Sequence, residues 1–188
     1  MKNLKTIAMA LLVVVSTTTI AQTKKINTTT SKISWTGKKV TGQHQGTINF
    51  SEGNLIFKKK VLTGGSFTVN MNTIIVTDLE AGKGKEKLEG HLNSADFFAP
   101  EKFPTAKIVF KTVTLKEKGV YTITADMTIK NITNPITFDL TVSEKGAKTE
   151  FSIDRTKYDI KYGSGSFFDN LGDKAISNDF DLSIRLSF

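Results

Sequence analysis

Residues 121–142, YTITADMTIKNITNPITFDLTV, carry the pattern that decides the fold. Apolar side chains occupy every second position from Tyr121 to Ile129, and the positions between them are polar or charged. After the sequence NITNP, taken as the turn, the same alternation resumes from Ile136 to Val142. Because successive side chains of a strand point to opposite faces, the segment predicts a β-hairpin with one dry face and one wet face. We therefore expect an antiparallel sheet folded around an apolar interior.

Shorter stretches of alternation predict further strands along the chain. They surround Ile33 and Trp35 and cover residues 41–50, 55–61, 66–76, 106–115, 150–155 and 179–188. Gly64 and Gly65 are predicted to form a turn, Gly46 to mark a bulge or a tight curve, and residues 22–30 to be a loose lead-in. Many short alternating strands are typical of a β-sandwich or a β-barrel.

Residues 85–93, KEKLEGHLN, interrupt the strand pattern once. Leu88 and Leu92 are four residues apart with His91 between them, which predicts a short helix across the sheet. Ser94 is predicted to cap a further turn. His91 is interpreted as a hydrogen-bonding capping residue, because a metal site needs more ligands than His91 and His44 supply. No metal is expected.

Residues 1–21 have the composition of a signal peptide. Lys2 and Lys5 precede an apolar run over residues 7–15, and the small residues Thr19 and Ala21 fit a cleavage site after Ala21. The run is too short to span a bilayer. We therefore expect an exported protein with one domain over residues 22–188.

Composition narrows the classes of partner. The chain has no cysteine, so an exported form has no disulfide and depends on its apolar core. Its net charge is +8 and becomes +6 when Lys2 and Lys5 are removed, since no acidic residue is lost with them. Short lysine runs such as residues 58–60 are typical of solvated loops, with peripheral contact to an anionic membrane surface as the functional alternative. Export separates the protein from nucleic acid.

Residues 91–104, HLNSADFFAPEKFP, resemble the YceI-like polyisoprenoid-binding family. Further matching pieces are WTG from Trp35, GGSF from Gly64, MTIKNITNPI from Met127 and IDRTKYDIKY from Ile153, so the resemblance covers nearly all of the mature chain. Three local departures occur where the family carries glycine, and these positions hold Ala125, Asn131 and Asp159.

The resemblance implies an all-β fold, an extended antiparallel eight-stranded lipocalin-like β-barrel with a short capping helix. It also implies a periplasmic location and an elongated apolar pocket for a long-chain isoprenoid or another lipid amphiphile. No cofactor is expected beyond such a bound isoprenoid or fatty-chain ligand. A homodimer joined through strand edges is compatible with the resemblance.

Thirteen apolar side chains are predicted to line this lipid pocket. They are Trp35, Phe50, Phe67, Val69, Phe97, Phe98, Phe110, Tyr121, Ile123, Met127, Phe138, Leu140 and Phe151. With 13 phenylalanines in the chain, we expect a wide, aromatic interior. Each buried CH₂ contributes about 0.8 kcal/mol, so a long chain could bind through length and shape alone. An eight-stranded barrel can instead be filled by its own side chains, and a ligand-free structural or interaction barrel in the envelope stays open.

Arg155 follows Phe151 and Ile153 on the apolar face, where an unpaired charge is costly. One reading is a salt bridge or backbone contacts that hold the local turn. The other is a headgroup contact at the pocket mouth, because a guanidinium fits phosphate or carboxylate oxygens.

No catalytic motif is recognisable. GKGK over residues 82–85 lacks the spacing of a phosphate loop, and GSGS over residues 163–166 does not match a nucleophile elbow. Two histidines and no cysteine leave few catalytic groups, so an enzyme is not expected. Carboxylates that the fold could bring together, such as Asp96 and Asp154, remain the enzymatic alternative.

Overall fold

Nine β-strands and one α-helix make up the part of the chain that the computed structural model describes, residues 21–188. The strands are β1 (Gln22–Lys25), β2 (Lys32–Lys39), β3 (Gly42–Lys58), β4 (Val61–Val76), β5 (Thr105–Glu117), β6 (Val120–Ile129), β7 (Ile132–Val142), β8 (Gly146–Asp154) and β9 (Ile176–Ser187). The helix α1 (Lys85–Asn93) and two 3₁₀ turns, Arg155–Tyr158 and Gly172–Lys174, lie in the connections. The predicted signal peptide falls on residues 1–20 and Ala21, almost wholly outside the described residues.

Strands β2 to β9 close an eight-stranded antiparallel barrel, as predicted. The order around the wall is β3-β2-β9-β8-β7-β6-β5-β4, and β4 pairs again with β3. The short β1 lies outside this ring and pairs with residues 54–57 of β3. The expectation of a loose lead-in over residues 22–30 is therefore wrong for β1. The sequence gives no sign of this strand, because the residues of an exposed edge strand need no apolar alternation.

The predicted β6–β7 hairpin is confirmed, but its turn is shorter than expected. Tyr121 pairs with Leu140 and Ile123 with Phe138, so the apolar residues of both strands share the inner face. The turn is Lys130-Asn131, whose φ angles are 50° and 62°. Most of NITNP therefore belongs to β7. Asn131 holds a left-handed conformation that asparagine tolerates better than most residues, which explains how it replaces a glycine there.

Two predicted breaks in the strands are absent. β3 runs without interruption through residues 42–58, and Gly64 and Gly65 lie inside β4 rather than in a turn. The turn between these strands is Lys59-Lys60, with φ angles of 50° and 68°. Lysine has no preference for the left-handed conformation, so the turn was predicted at Gly64 and Gly65 instead.

Gly46 lets the wall bend around an aromatic ring. A Cβ at this position would lie 2.5 Å from Cζ2 of Trp35 and 1.8 Å from the carbonyl oxygen of Ile75. The β3–β4 register shifts nearby, between Thr47 and Asn49, in agreement with the predicted irregularity. The indole ring of Trp35 packs directly against the backbone of Gly46, and a side chain at this position would clash with it.

The seam between β7 and β8 is the least paired part of the wall. Two residue pairs join these strands, Thr141 with Lys148 and Val142 with Ala147. Beyond them the seam is held by Oγ1 of Thr149, which donates to the carbonyl oxygen of Asp139 at 2.7 Å.

The barrel has two different ends. The base end carries the β3–β4, β5–β6 and β7–β8 turns, whereas the helix end carries α1 and the connection over residues 155–175. α1 has the predicted bounds and is attached to β4 where the Glu89 carboxylate accepts from the backbone N–H of Val76 at 2.8 Å. Within residues 21–188, no helix is both long and apolar enough to cross a membrane.

Candidate ligand-binding cavity

A long, narrow cavity runs inside the barrel. Its volume is about 160 Å³, and all eight strands of the wall contribute to its lining. On β9 the lining extends from Ile176 to Leu186. We call this cavity the bore.

Five phenylalanines form an aromatic belt around the bore. Successive ring centroids are 5.9 Å apart for Phe50 and Phe67, 5.8 Å for Phe67 and Phe110, 6.0 Å for Phe110 and Phe138, and 4.7 Å for Phe138 and Phe151. The rings point inward because each occupies an inner position of its strand. Their volume takes up the interior, so the bore is narrower than the number of phenylalanines led us to expect.

Eleven of the thirteen predicted pocket residues line the bore. They are Trp35, Phe50, Phe67, Val69, Phe97, Phe98, Phe110, Met127, Phe138, Leu140 and Phe151. The prediction is wrong for Tyr121 and Ile123, which are buried without reaching the cavity. They lie toward the base end, where the backbone N–H of Leu62 donates to the hydroxyl of Tyr121 at 3.4 Å.

The base end of the barrel is solid. We call the buried group below the bore the filled section, and it comprises Leu55, Phe57, Leu62, Tyr121 and Ile123. Leu55 and Ile123 have no exposed surface. Lys24 of β1 covers this end, with Nζ 4.6 Å from the ring centroid of Phe188 and 5.6 Å from that of Phe57. The barrel is therefore plugged below and hollow above.

Several lining residues were missed. Phe180, Leu182, Ile184 and Leu186 alternate along β9 and all line the bore, so their alternation predicts the site as well as the strand. Gly37 had no such signal because it has no side chain. It lines the bore, and a Cβ placed on it would meet nothing within 4 Å.

The bore reaches the surface at the helix end. Lys38 of β2 and Asp179 of β9 both line it and are solvent-exposed. The register between β2 and β9 shifts in the same place, between Gly37 and Lys39. We call this region the mouth.

Arg155 lies beside the mouth and lines the bore. Its Nε donates to the carbonyl oxygen of Ser177 at 2.9 Å, Nη1 to that of Ile160 at 2.7 Å and Nη2 to that of Ile176 at 3.1 Å. The backbone-contact reading is thus confirmed, while the headgroup reading stays a prediction. Burial lowers the pKa of Arg155, and the negative charge of Asp154 opposes this effect. A guanidinium has five N–H groups, so two remain for another acceptor.

Aromatic rings form the roof above the bore. His91 on α1 packs between Tyr162 and Phe97, at centroid distances of 4.4 Å and 4.7 Å. The carbonyl oxygen of His91 accepts from the N–H and the hydroxyl of Ser94, as a capping role requires. Its imidazole, by contrast, packs against the rings and leaves Nε2 buried without a hydrogen-bond partner. The capping prediction is therefore wrong for the side chain.

Two of the polar groups considered for catalysis or metal binding, His44 and Asp154, have structural partners. His44 contacts Asp78 at 2.9 Å, and Asp154 accepts from the N–H of Thr156 at 2.9 Å, which caps the first 3₁₀ turn. Asp159 ends that turn with φ 58°, a left-handed conformation that accounts for the family's glycine at this position. Within residues 21–188, no three His, Cys, Asp or Glu side chains converge on a possible metal site.

Comparison with known sequences matches the chain to one protein family. Residues 25–188 match the family described as YceI-like domain. A UPF0312 protein of Shewanella denitrificans is 35% identical over 92 residues, covering 49% of this chain and 46% of that protein. Protein YceI of Escherichia coli O157:H7 is 30% identical over 102 residues, covering 54% and 50%. The chain thus spans about half the length of these curated relatives.

Solved structures share the architecture. BcnA of Burkholderia cenocepacia has a TM-score of 0.69 at 17% identity, covering 86% of this chain and 98% of that protein. A polyisoprenoid binding domain from Saccharophagus degradans, implicated in plant cell wall breakdown, has a TM-score of 0.58 at 10% identity, covering 90% and 97%. At these identities the likeness shows the fold.

Proposed function

Because the chain belongs to the YceI-like family, we propose that its bore binds a long-chain isoprenoid or a similar lipid amphiphile without chemical conversion. The observation that carries this proposal is a bore about 160 Å³ in volume, lined over ten residue steps of β9 and plugged at its base. The structural relative from Saccharophagus degradans is named for polyisoprenoid binding, which supports this ligand class.

The lining favours an extended apolar chain over a compact or polar molecule. Most lining residues are apolar, and the aromatic belt narrows the bore in its middle. Each CH₂ buried there contributes about 0.8 kcal/mol, so affinity grows with chain length until the bore is full. An apolar cavity of roughly 150 Å³ holds about one benzene molecule. A long chain is larger than one benzene molecule, so it must displace rings of the aromatic belt. The cost of moving these rings makes its affinity lower than the sum of its CH₂ contributions.

We place the polar head of the ligand at the mouth, beside Arg155. The filled section blocks the other end, so a head that keeps contact with water must lie where Lys38 and Asp179 are exposed. The guanidinium has two N–H groups left for phosphate, carboxylate or carbonyl oxygens.

The proposed setting is the periplasm, reached through the signal peptide of residues 1–21. There the apolar bore would carry, store or sequester a water-insoluble chain. The alternative is a ligand-free barrel that acts through its outer surface, and it gains support only if the bore stays empty.

A blocked bore tests this proposal. Gly37→Phe adds a ring in the open space at the mouth, and Gly37 has no left-handed φ that would forbid the change. Thr36→Phe is the matched control, since it adds the same ring one residue away on the outer face of β2. Protein purified from cell envelopes is analysed by native mass spectrometry and organic extraction. Binding of a polyprenyl alcohol is followed through Trp35, the single tryptophan, which lines the bore.

We expect the wild type and Thr36→Phe to carry a lipid-sized mass and to change Trp35 fluorescence with the alcohol. Gly37→Phe should lose at least tenfold in affinity with its melting temperature retained. If no form yields a lipid and none responds to the alcohol, the proposal fails. Equal binding by the two variants would mean that the ligand does not enter through the mouth.

A further inference from the structure

We propose that exposed apolar side chains around the mouth dock the barrel on an anionic lipid bilayer, so that the ligand passes directly between membrane and bore. The inference deepens the proposed function and rests on it. These side chains, called here the mouth patch, are Val40, Tyr162, Phe167 and Phe168.

The apolar and aromatic side chains of the mouth patch are exposed to solvent. Phe167 and Phe168 each keep 50% of their surface exposed, Tyr162 keeps 46% and Val40 keeps 67%. They come from two separate connections, the β2–β3 turn and the segment after the first 3₁₀ turn. Two adjacent half-exposed phenylalanines on a water-facing loop are costly unless something apolar covers them.

Backbone hydrogen bonds hold these two connections together. The N–H of Val40 donates to the carbonyl oxygen of Ala175 at 3.2 Å, and that of Ile176 donates to Gly163 at 2.8 Å. Gly163, which directly follows Tyr162, and the β2–β3 turn therefore meet at the start of β9. The mouth patch is one surface rather than scattered single residues.

The loop that carries the phenylalanines has a built framework. Ser164 has no exposed surface, and its carbonyl oxygen accepts from the N–H groups of Phe167 and Phe168, both at 3.0 Å. Its hydroxyl donates to the side chain of Asn178 at 2.6 Å, and Asn178 donates back to Ser166 at 2.8 Å. Because these bonds fix the loop, the exposure of the rings is a property of the fold.

The mouth patch is continuous with the bore. Tyr162 packs against Phe97 at 5.9 Å between centroids, and Phe97 lines the bore. Ile176, bonded to the neighbouring Gly163, lines it too. An apolar path thus leads from the exposed rings to the interior. A chain that is insoluble in water needs such a path to the phase that dissolves it, which is the bilayer interior.

Charge favours an anionic bilayer as the occupant. Lys39 adjoins Val40, Lys174 adjoins Ala175, and Nζ of Lys161 lies 5.3 Å from the ring of Phe167. Asp159, Asp169 and Asp173 balance these three lysines locally, and Lys161 Nζ is paired with Asp159 at 2.8 Å. The attraction to anionic lipid therefore comes from the net charge of +6 that the chain carries without residues 1–21. Aromatic rings flanked by lysines match the composition of segments that lie in the membrane interface.

The test compares two pairs of exposed apolar residues on the same barrel. Phe167→Ser/Phe168→Ser removes the aromatic part of the mouth patch. Val61→Ser/Leu115→Ser is the control, because these residues are 45% and 57% exposed and lie at the base end. Each purified protein is mixed with vesicles of phosphatidylcholine alone or with phosphatidylglycerol added, and vesicle-bound protein is measured by flotation.

We expect the wild type and the base-end control to bind the anionic vesicles, and the Phe167/Phe168 variant to bind at least tenfold more weakly. Raised salt should weaken binding of the wild type, since the lysine contribution is screened. The docking proposal is overturned if the mouth variant floats as well as the control, if the wild type does not float, or if anionic lipid makes no difference.

A second measurement separates this proposal from the proposed function. The polyprenyl alcohol is delivered from detergent and its binding is followed through Trp35. Both double variants should then bind it with wild-type affinity, while uptake from vesicles slows only for the mouth variant. Loss of alcohol binding in every form sinks the lipid-binding function but leaves the flotation result to decide whether this surface meets membranes. Unchanged uptake from vesicles by the mouth variant counts against docking alone.

Discussion

The filled section and the bore are built from the same alternating strands, yet one is solid and the other is hollow. Leu55, Leu62 and Ile123 are buried on all sides at the base end. In the aromatic belt, by contrast, Phe110 and Phe151 are only partly buried and line the bore. Alternation therefore states which side chains point inward, whereas the volumes that meet at each level decide whether space is left.

Small residues and the roof create the difference. Gly37 and Ala106 line the bore without filling it, and α1 with residues 155–175 closes the helix end from above. In the filled section no such vacancy exists, and even the hydroxyl of Tyr121 is used by a backbone N–H. Stability and binding are thus assigned to different groups of inward-facing residues in one wall.

The largest expected effect comes from opening the filled section. Leu55→Ala should lower the free energy of unfolding by about 3–4 kcal/mol, because it removes contacts on every side of the leucine. Ile108→Ala, in the wall of the bore, should cost about 1 kcal/mol, since its side chain already lacks neighbours on the cavity side. Urea unfolding at constant m-value measures both. Equal losses of stability would contradict the distinction between the filled section and the bore.

A middle-sized effect is expected at Arg155, where the bore meets its roof. Arg155→Leu loses three hydrogen bonds to carbonyl oxygens but also removes a buried charge, so we expect the free energy of unfolding in urea to fall by about 2 kcal/mol.

The same variant sharpens the location of the headgroup. A long-chain prenyl phosphate should lose roughly tenfold more affinity than the matching prenyl alcohol, a difference of about 1.4 kcal/mol. Fluorescence titration through Trp35 compares the two ligands on folded protein. An equal loss for both would confine Arg155 to its structural role.

The effect that is smallest at neutral pH concerns Tyr158, which is buried near the roof but does not line the bore. Burial, and secondarily the charge of Asp154, raises the pKa of Tyr158 to about 12 from 10.0. The native state then keeps this proton while the unfolded state loses it, so stability holds below pH 10 and falls as the pH rises toward 12.

Tyr158→Phe removes this alkaline sensitivity. At pH 11 the wild type should have lost about 1.4 kcal/mol more than the variant, relative to pH 8. Near neutral pH the variant should be at least as stable as the wild type, because the buried hydroxyl of Tyr158 has no hydrogen-bond partner to lose. Urea midpoints of both proteins at the two pH values give the comparison, and parallel decreases would show that the phenol does not differ between the folded and unfolded states.

The sequence predicted the strands of the barrel better than the turns between them or the size of the cavity inside. Alternation reports the inner face of each strand directly, which is why the β6–β7 hairpin and eleven lining residues were found. The Lys59-Lys60 turn was missed because lysine carries no preference for a left-handed φ. Tyr121 and Ile123 were misassigned because an inward direction says nothing about depth along the barrel. Gly37 was missed because open space leaves no residue pattern.

The seam between β7 and β8 has a mechanical consequence. Because only two residue pairs join β7 and β8, the barrel can widen at this seam at a lower free-energy cost than at its continuously paired strands. Phe138 and Phe151 stack across this seam at 4.7 Å, so widening the seam would also part the belt where it is tightest. The weakest join in the wall is therefore also the natural place for the barrel to stretch around a guest thicker than its resting bore.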